Sequence, residues 1–172
     1  MNLKEFFKYC VLSLMFFAAP LMAKYQSSFQ RENTMSQQNS QKLIEDFYAA
    51  FNAKKIDKMV SFVSDDVVFD MNDEELQKGK EAFLNMIKDS VKNYQENVEN
   101  VVYMVSKDGK HVATKFTFKG KYITTDKSNI PAKGQPYEAT AFNYFDIEND
   151  KIISARCWYN QKDWLKQVSK AA

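Results

Sequence analysis

Histidine is nearly absent from this chain: His111 stands alone among 172 residues, with only two cysteines, Cys10 and Cys157. A zinc or iron centre built on imidazole and thiolate needs several such ligands at close spacing, so no metal site is expected. His111 itself is expected at the surface beside a turn. Cys10 lies in a segment open to removal, so the two cysteines define no disulfide framework. Glycine is scarce as well, and Gly79, Gly109, Gly120 and Gly134 are isolated from one another. That excludes a glycine-rich phosphate or dinucleotide loop, and no cofactor is expected. Charge of one sign is missing too. The formal net charge is +2, and residues 1–35 hold four of the 24 basic residues and two of the 22 acidic ones, leaving 20 of each beyond Met35. A neutral domain lacks the electrostatic footprint for binding nucleic acid.

Long apolar runs are also lacking. Residues 1–23 read as a signal peptide, with Lys4 and Lys8 ahead of an apolar run over 9–17 and small residues Ala18, Ala19 and Ala23 near a cleavage site. The run is too short to span a bilayer, so the mature protein is expected to have no membrane span. Leu21 departs from the small residue preferred three positions before a cut after Ala23. Met35, just ahead of the first periodic helix, offers the alternative of a cytoplasmic protein with an over-extended start. The expectation is export, periplasmic or secreted, with cytoplasmic residence from Met35 as the alternative. Residues 24–40, rich in Gln, Ser and Asn, read as a polar linker, and residues 41–168 as the domain.

What is present is a chain of 45% hydrophobic and 15% aromatic residues, enough for one buried core. Leu43, Ile44, Phe47, Tyr48 and Phe51 fall at helical spacing, with Ser36 or Ser40 as N-cap. Ile56, Met59, Val60 and Val63 repeat the pattern, closed by Ser64-Asp65-Asp66. A third stripe, Phe83, Met86, Ile87, Ser90, Val91 and Tyr94, follows Gly79. Between the second and third helices, residues 67–71 form a β-branched and aromatic run of strand type. The second half alternates with period two. Residues 98–105, a turn at Asp108-Gly109, and residues 112–123 predict one antiparallel pair. After a loop over 124–134, residues 137–148 and 151–159 predict another. Helices followed by antiparallel strands give an α+β fold, a curved sheet wrapped over helices.

These residues carry a resemblance. Phe47-Tyr48-Ala49-Ala50-Phe51-Asn52-Ala53, then Asp65-Asp66-Val67-Val68-Phe69-Asp70, then Gly79-Lys80-Glu81-Ala82-Phe83 resemble the opening of the nuclear transport factor 2-like superfamily, which includes ketosteroid isomerases and SnoaL-like polyketide cyclases. Gly120-Lys121-Tyr122, the run from Pro131 to Tyr137, and Tyr159-Asn160-Gln161-Lys162-Asp163-Trp164 resemble more narrowly a bacterial subgroup of ketosteroid isomerase-related proteins. The resemblance covers residues 40–168. It implies a cone: a strongly curved antiparallel sheet wrapped over three N-terminal helices around one pocket, usually dimerising through the outer sheet face.

The chemistry of ketosteroid isomerases does not transfer. Their oxyanion-holding tyrosine falls on Phe47, their proton-moving aspartate on Met71, and their second aspartate on Asn143. Met71 cannot abstract a proton, although the Asn143 amide can still hydrogen-bond. A limonene epoxide hydrolase-like site needs an arginine between two aspartates, and Arg156 has the outward parity. Strand parity and the resemblance together turn Phe69, Met71, Asn143, Ala155, Cys157 and Tyr159 towards the pocket, joined by Phe47 and Phe51. A mainly apolar cavity with few polar points is the usual small-molecule site. Phe47, Phe51 and Ala155 also serve as plain core, and Cys157 reads as a buried structural thiol.

Three functions follow as alternatives. A small-molecule-binding pocket protein leads, because a pocket is predicted and an acid–base pair is not. An enzyme of isomerase, cyclase or hydratase type would need Asp70 re-aimed by a local bulge as general base. A homodimeric interaction module would use the outward aromatics Phe142, Tyr144 and Trp158.

Overall fold

The computed structural model describes residues 3–72 and 74–170, and among their side chains those of Met22 and of residues 24–72 and 74–170. The leader reading of residues 1–23 turns almost wholly on side chains outside the described ones. No helix among the described residues is long and apolar enough to cross a membrane.

The first helix, α1 (Leu3–Asn52), is continuous through the polar stretch 24–40, which contains neither Gly nor Pro. Its inner stripe is the expected one, with Ile44, Phe47, Tyr48, Ala50 and Phe51 buried. Ser36 and Ser40 therefore cap nothing. Their hydroxyls donate to the Asp108 and Gly109 carbonyls, at 2.9 and 2.5 Å, tying the helix to a turn 69 or more residues away. Gly109, at φ 71°, permits this approach, because a Cβ there would lie 2.2 Å from Ser36 Oγ.

The helix ends in a Schellman arrangement: Lys54 takes φ 56°, Lys55 N–H donates to Ala50 O at 2.9 Å, and Lys54 N–H donates to Phe51 O at 2.9 Å. Asn52 then clamps both backbone groups of Val98, donating to its carbonyl at 2.9 Å and accepting from its N–H at 2.8 Å.

The remaining elements are α2 (Ile56–Ser61), β1 (Val63–Met71), the two-residue β2 (Gln77–Lys78), α3 (Lys80–Asn93), β3 (Tyr94–Val105), β4 (His111–Tyr122), β5 (Gln135–Glu148), β6 (Lys151–Tyr159) and α4 (Gln161–Lys170). Ser64, Asp65 and Asp66 belong to β1 rather than closing a helix, and Tyr94 opens β3 rather than ending α3.

The α+β class holds, but the cone is corrected. The six strands form one sheet in the order β2-β1-β6-β5-β4-β3, and β1 runs parallel to β6, so the sheet is mixed rather than antiparallel. It is open, ending at β2 and β3, and is neither strongly curved nor closed. The three N-terminal helices become two, α1 and α2, ahead of β1, with α3 between β2 and β3 and α4 after β6. Alternation within a strand reports its two faces. It carries nothing about the direction of a partner more than 80 residues away.

One face of the sheet packs against α1, α2 and α3 through Ile44, Phe47, Met59, Phe69, Phe83 and Phe145, with Phe69 and Phe83 edge-to-face at 5.3 Å. At the far end, Trp164 and Val168 of α4 join Tyr122 and Tyr137 in a second cluster. Burial worth roughly 1.5–3 kcal/mol per large side chain holds a ten-residue helix that would be marginal alone. Gln135 secures the same end, its buried amide donating to Pro131 O at 2.8 Å and Val168 O at 3.0 Å.

Replacing Ser40 with Ala leaves the buried Gly109 carbonyl without its donor and should cost roughly 1–3 kcal/mol in denaturant unfolding. Gly109→Ala should cost more, because it adds left-handed strain to the clash with Ser36.

Candidate functional site

Between the helices and the sheet lies a cavity of about 90 Å³, bordered by Phe47 and Phe51 of α1, Phe69 and Met71 of β1, Asn143 of β5 and Cys157 of β6. The sheet register makes one row of Met71, Cys157 and Asn143, while Phe69, Ala155 and Phe145 make the next. The chamber opens into a larger groove of about 800 Å³, reaching Tyr159 on β6 and Trp164 on α4, and Phe69, Met86, Ser90, Glu96 and Phe118 border both. Tyr159 thus stands on the groove rather than on the chamber. The chamber alone is smaller than the roughly 150 Å³ that accommodates a benzene-sized molecule.

One polar chain crosses the apolar wall. Asn143 Nδ2 donates to the Tyr48 hydroxyl at 2.9 Å, and that hydroxyl lies 2.7 Å from Thr114 Oγ1. Burial pushes the Tyr48 phenol well above its ordinary value, so it stays protonated. Asn143 Oδ1 is buried without a hydrogen-bond partner. Cys157 is pushed up to about 12, by burial first and then by the charges of Glu96 and Asp70, which makes it an inert thiol. Burial likewise pushes Tyr159 up to about 12.

Asp70 and Arg156 border the chamber but stand one position off its inward rows, directly opposite each other in the β1–β6 register. Their side chains pair, Arg156 Nε lying 3.4 Å from Asp70 Oδ2, with the Asp70 side chain 5% exposed and Arg156 44% exposed. Asp70 Oδ1 has no hydrogen-bond partner.

The residue that sequence reasoning missed is Glu96. It occupies the inward parity of β3 between Tyr94 and Val98, at the throat where chamber and groove meet. Tyr137 donates to its Oε2 at 2.5 Å and Ser90 to its Oε1 at 3.3 Å. The strands dictate this meeting. Glu96, Gly120 and Tyr137 are neighbours across β3, β4 and β5, and a Cβ on Gly120 would lie 2.6 Å from Glu96 Cβ. The missing side chain on the middle strand lets acid and phenol touch over it. Burial raises the Glu96 carboxyl above its ordinary value, against the opposing pull of Tyr137, Lys54 and Ser90.

Known proteins now place this architecture. The pattern of the SnoaL-like polyketide cyclase family matches residues 42–168. The chain belongs to that family. Among solved structures, it is similar to a candidate polyketide cyclase from Pseudomonas putida KT2440, at 34% identity over 74% of this chain and 96% of that one, with a TM-score of 0.73. A candidate polyketide cyclase from Xanthomonas campestris pv. campestris shares 29% identity over 78% of this chain and 99% of that one, with a TM-score of 0.75. An epoxide hydrolase of limonene epoxide hydrolase type from M. tuberculosis, at 14% identity and a TM-score of 0.62 over 77% of this chain and 86% of that one, shares the fold alone. No curated protein matches the chain.

For a SnoaL-like chain, two signals in the sequence could have found the throat. Glu96 is an acid on the buried parity of a strand, and Gly120 breaks an otherwise regular run of side chains two residues before Tyr122. Because the folded pKa of Glu96 is raised, its charge opposes folding once pH exceeds the ordinary 4.5, and the penalty is complete above the folded value. Glu96→Gln, which retains an acceptor for Tyr137, should therefore raise stability at neutral pH, and the gain should shrink on acidification. Thermal unfolding across pH 3–8 checks this.

Proposed function

We propose that this protein binds a small, mostly apolar molecule with one polar group, as a SnoaL-like pocket protein of the narrower ketosteroid isomerase-related kind. The observation that carries the reading is the apolar chamber with one orphaned inward polar atom, Asn143 Oδ1. Water release from Phe69, Met71 and Cys157 supplies the affinity, while Asn143 and Tyr159 fix the orientation. A ligand carried through purification and identified by native mass spectrometry tests this directly. With 2-phenylethanol as probe, Asn143→Leu and Tyr159→Phe should each weaken binding by roughly 1–3 kcal/mol in calorimetry.

The second reading is an enzyme of isomerase, cyclase or hydratase type using Asp70. It draws support from relatives described as candidate polyketide cyclases and from the unpartnered Asp70 Oδ1. Against it, Asp70 Oδ2 is engaged by Arg156, and Met71 stands where ketosteroid isomerases hold their base. Little or no isomerisation of a Δ5-3-ketosteroid is expected. Efficient turnover abolished by Asp70→Asn would reverse that order.

We also propose a homodimer through the outer sheet face, where Phe142 is 47% exposed and neighbours Trp158 in register. Phe142→Glu places a charge in such an interface and should shift sedimentation from dimer to monomer without loss of fold; a wild type that is already monomeric removes the proposal. Export with removal of residues 1–23 is the proposed localisation, and sequencing the mature N-terminus distinguishes it from a cytoplasmic start at Met35.

A further inference from the structure

The throat has an unusual donor balance. Of the charged residues bordering chamber or groove, the basic ones are Arg156 and Lys127, and each already faces an acid: Arg156 with Asp70 at 3.4 Å, Lys127 with Glu74 at 2.6 Å. Glu75, Asp89, Glu96 and Asp126 border the same space with no salt bridge among the described residues. Lys54, outside that lining, hydrogen-bonds the Glu96 backbone carbonyl, and its charge acts on the carboxyl without a salt bridge.

Of the three tyrosines bordering the groove, Tyr94 and Tyr137 give their hydroxyls to acids, and Tyr159 is the third. Tyr137 donates to Glu96, and Tyr94 and Tyr122 both donate to Asp126. What remains unsatisfied is acceptor: Asn143 Oδ1 in the chamber wall and Asp70 Oδ1, both buried and without partners. A site where acids outnumber basic residues, where both basic residues are paired, and where the orphaned buried atoms are acceptors is complementary to a guest that brings N–H groups and positive charge.

We propose that the ligand is an amphiphilic amine, its apolar body shared between the groove and the mouth of the chamber and its protonated nitrogen at the throat on Glu96. The inference rests on the pocket reading and narrows it to one substrate class. An anionic guest of the same shape meets Glu96 and the acidic groove with no free cation to receive it. A neutral alcohol gains the hydrogen bond to an acceptor but not the charge. A protonated amine gains both, in surroundings where burial makes a charge-assisted bond stronger than in water.

The test uses three probes with one apolar body: phenethylamine, 2-phenylethanol and phenylacetate, titrated calorimetrically into the full-length protein at neutral pH and fixed salt. The amine should bind at least about tenfold tighter than the alcohol, the scale of a hydrogen bond to a charged group, with phenylacetate weakest. Glu96→Gln keeps the shape and an acceptor for Tyr137, and should remove the amine's roughly tenfold advantage over the alcohol. An alcohol or carboxylate that equals the amine on wild-type protein overturns the proposal, as does an amine advantage that survives Glu96→Gln. The wild-type ranking decides the matter even if a variant misfolds. Failure of all three probes to bind overturns the pocket reading, and this inference with it.

Discussion

The parallel pairing of β1 with β6 is the constraint on which the site depends. It sets Phe69 opposite Ala155 and Met71 opposite Cys157, and so joins the first strand of the chain to the last. The helices that flank β1 in sequence are thereby laid over the sheet, and Phe47 and Phe51 reach the same space as Asn143. α1 is held directly on β3 and on the Asp108–Gly109 turn, and the parallel pairing adds Phe69 and Met71 as a further wall of the chamber. The one-position offset within the same register also places Asp70 against Arg156 rather than in the inward rows.

Much of this was readable from residue periodicity. The α1 stripe, the turn at Asp108-Gly109 and the pair β5–β6 are local patterns, in which hydrophobic spacing and turn chemistry agree. Three features were not readable, each for a physical reason. The direction of β1 depends on a partner far along the chain. The role of Ser36 and Ser40 depends on a loop that packs against them, which overrides their usual preference for a helix start. The helix α4 has two buried anchors, Trp164 and Val168, too few for a clear periodic signal, and it is ordered by what it covers.

The site shows the same division. The apolar members follow from strand parity, because burial acts on every second residue alike. The polar members do not, because a buried polar group is defined by its partner. Tyr48 was read as one more member of a helical stripe, yet its hydroxyl links Asn143 to Thr114. The resemblance assigned the tyrosine position to Phe47, while the phenol that enters the interior belongs to the next residue. Glu96 fell just outside the strand as first bounded, and its significance emerges only with Gly120 and Tyr137 alongside.

Gly120 has a wider use as a marker. It is required by proximity, since a Cβ there would press on the Gln95 carbonyl oxygen and on the Cα and Cβ of Glu96. A related sequence that keeps glycine at this strand position, with an acid across on β3 and a tyrosine across on β5, can be sorted with this protein without a structure. One that carries a larger residue there must have moved β3 away from β4 at this point, and with it whatever side chain stands in place of Glu96.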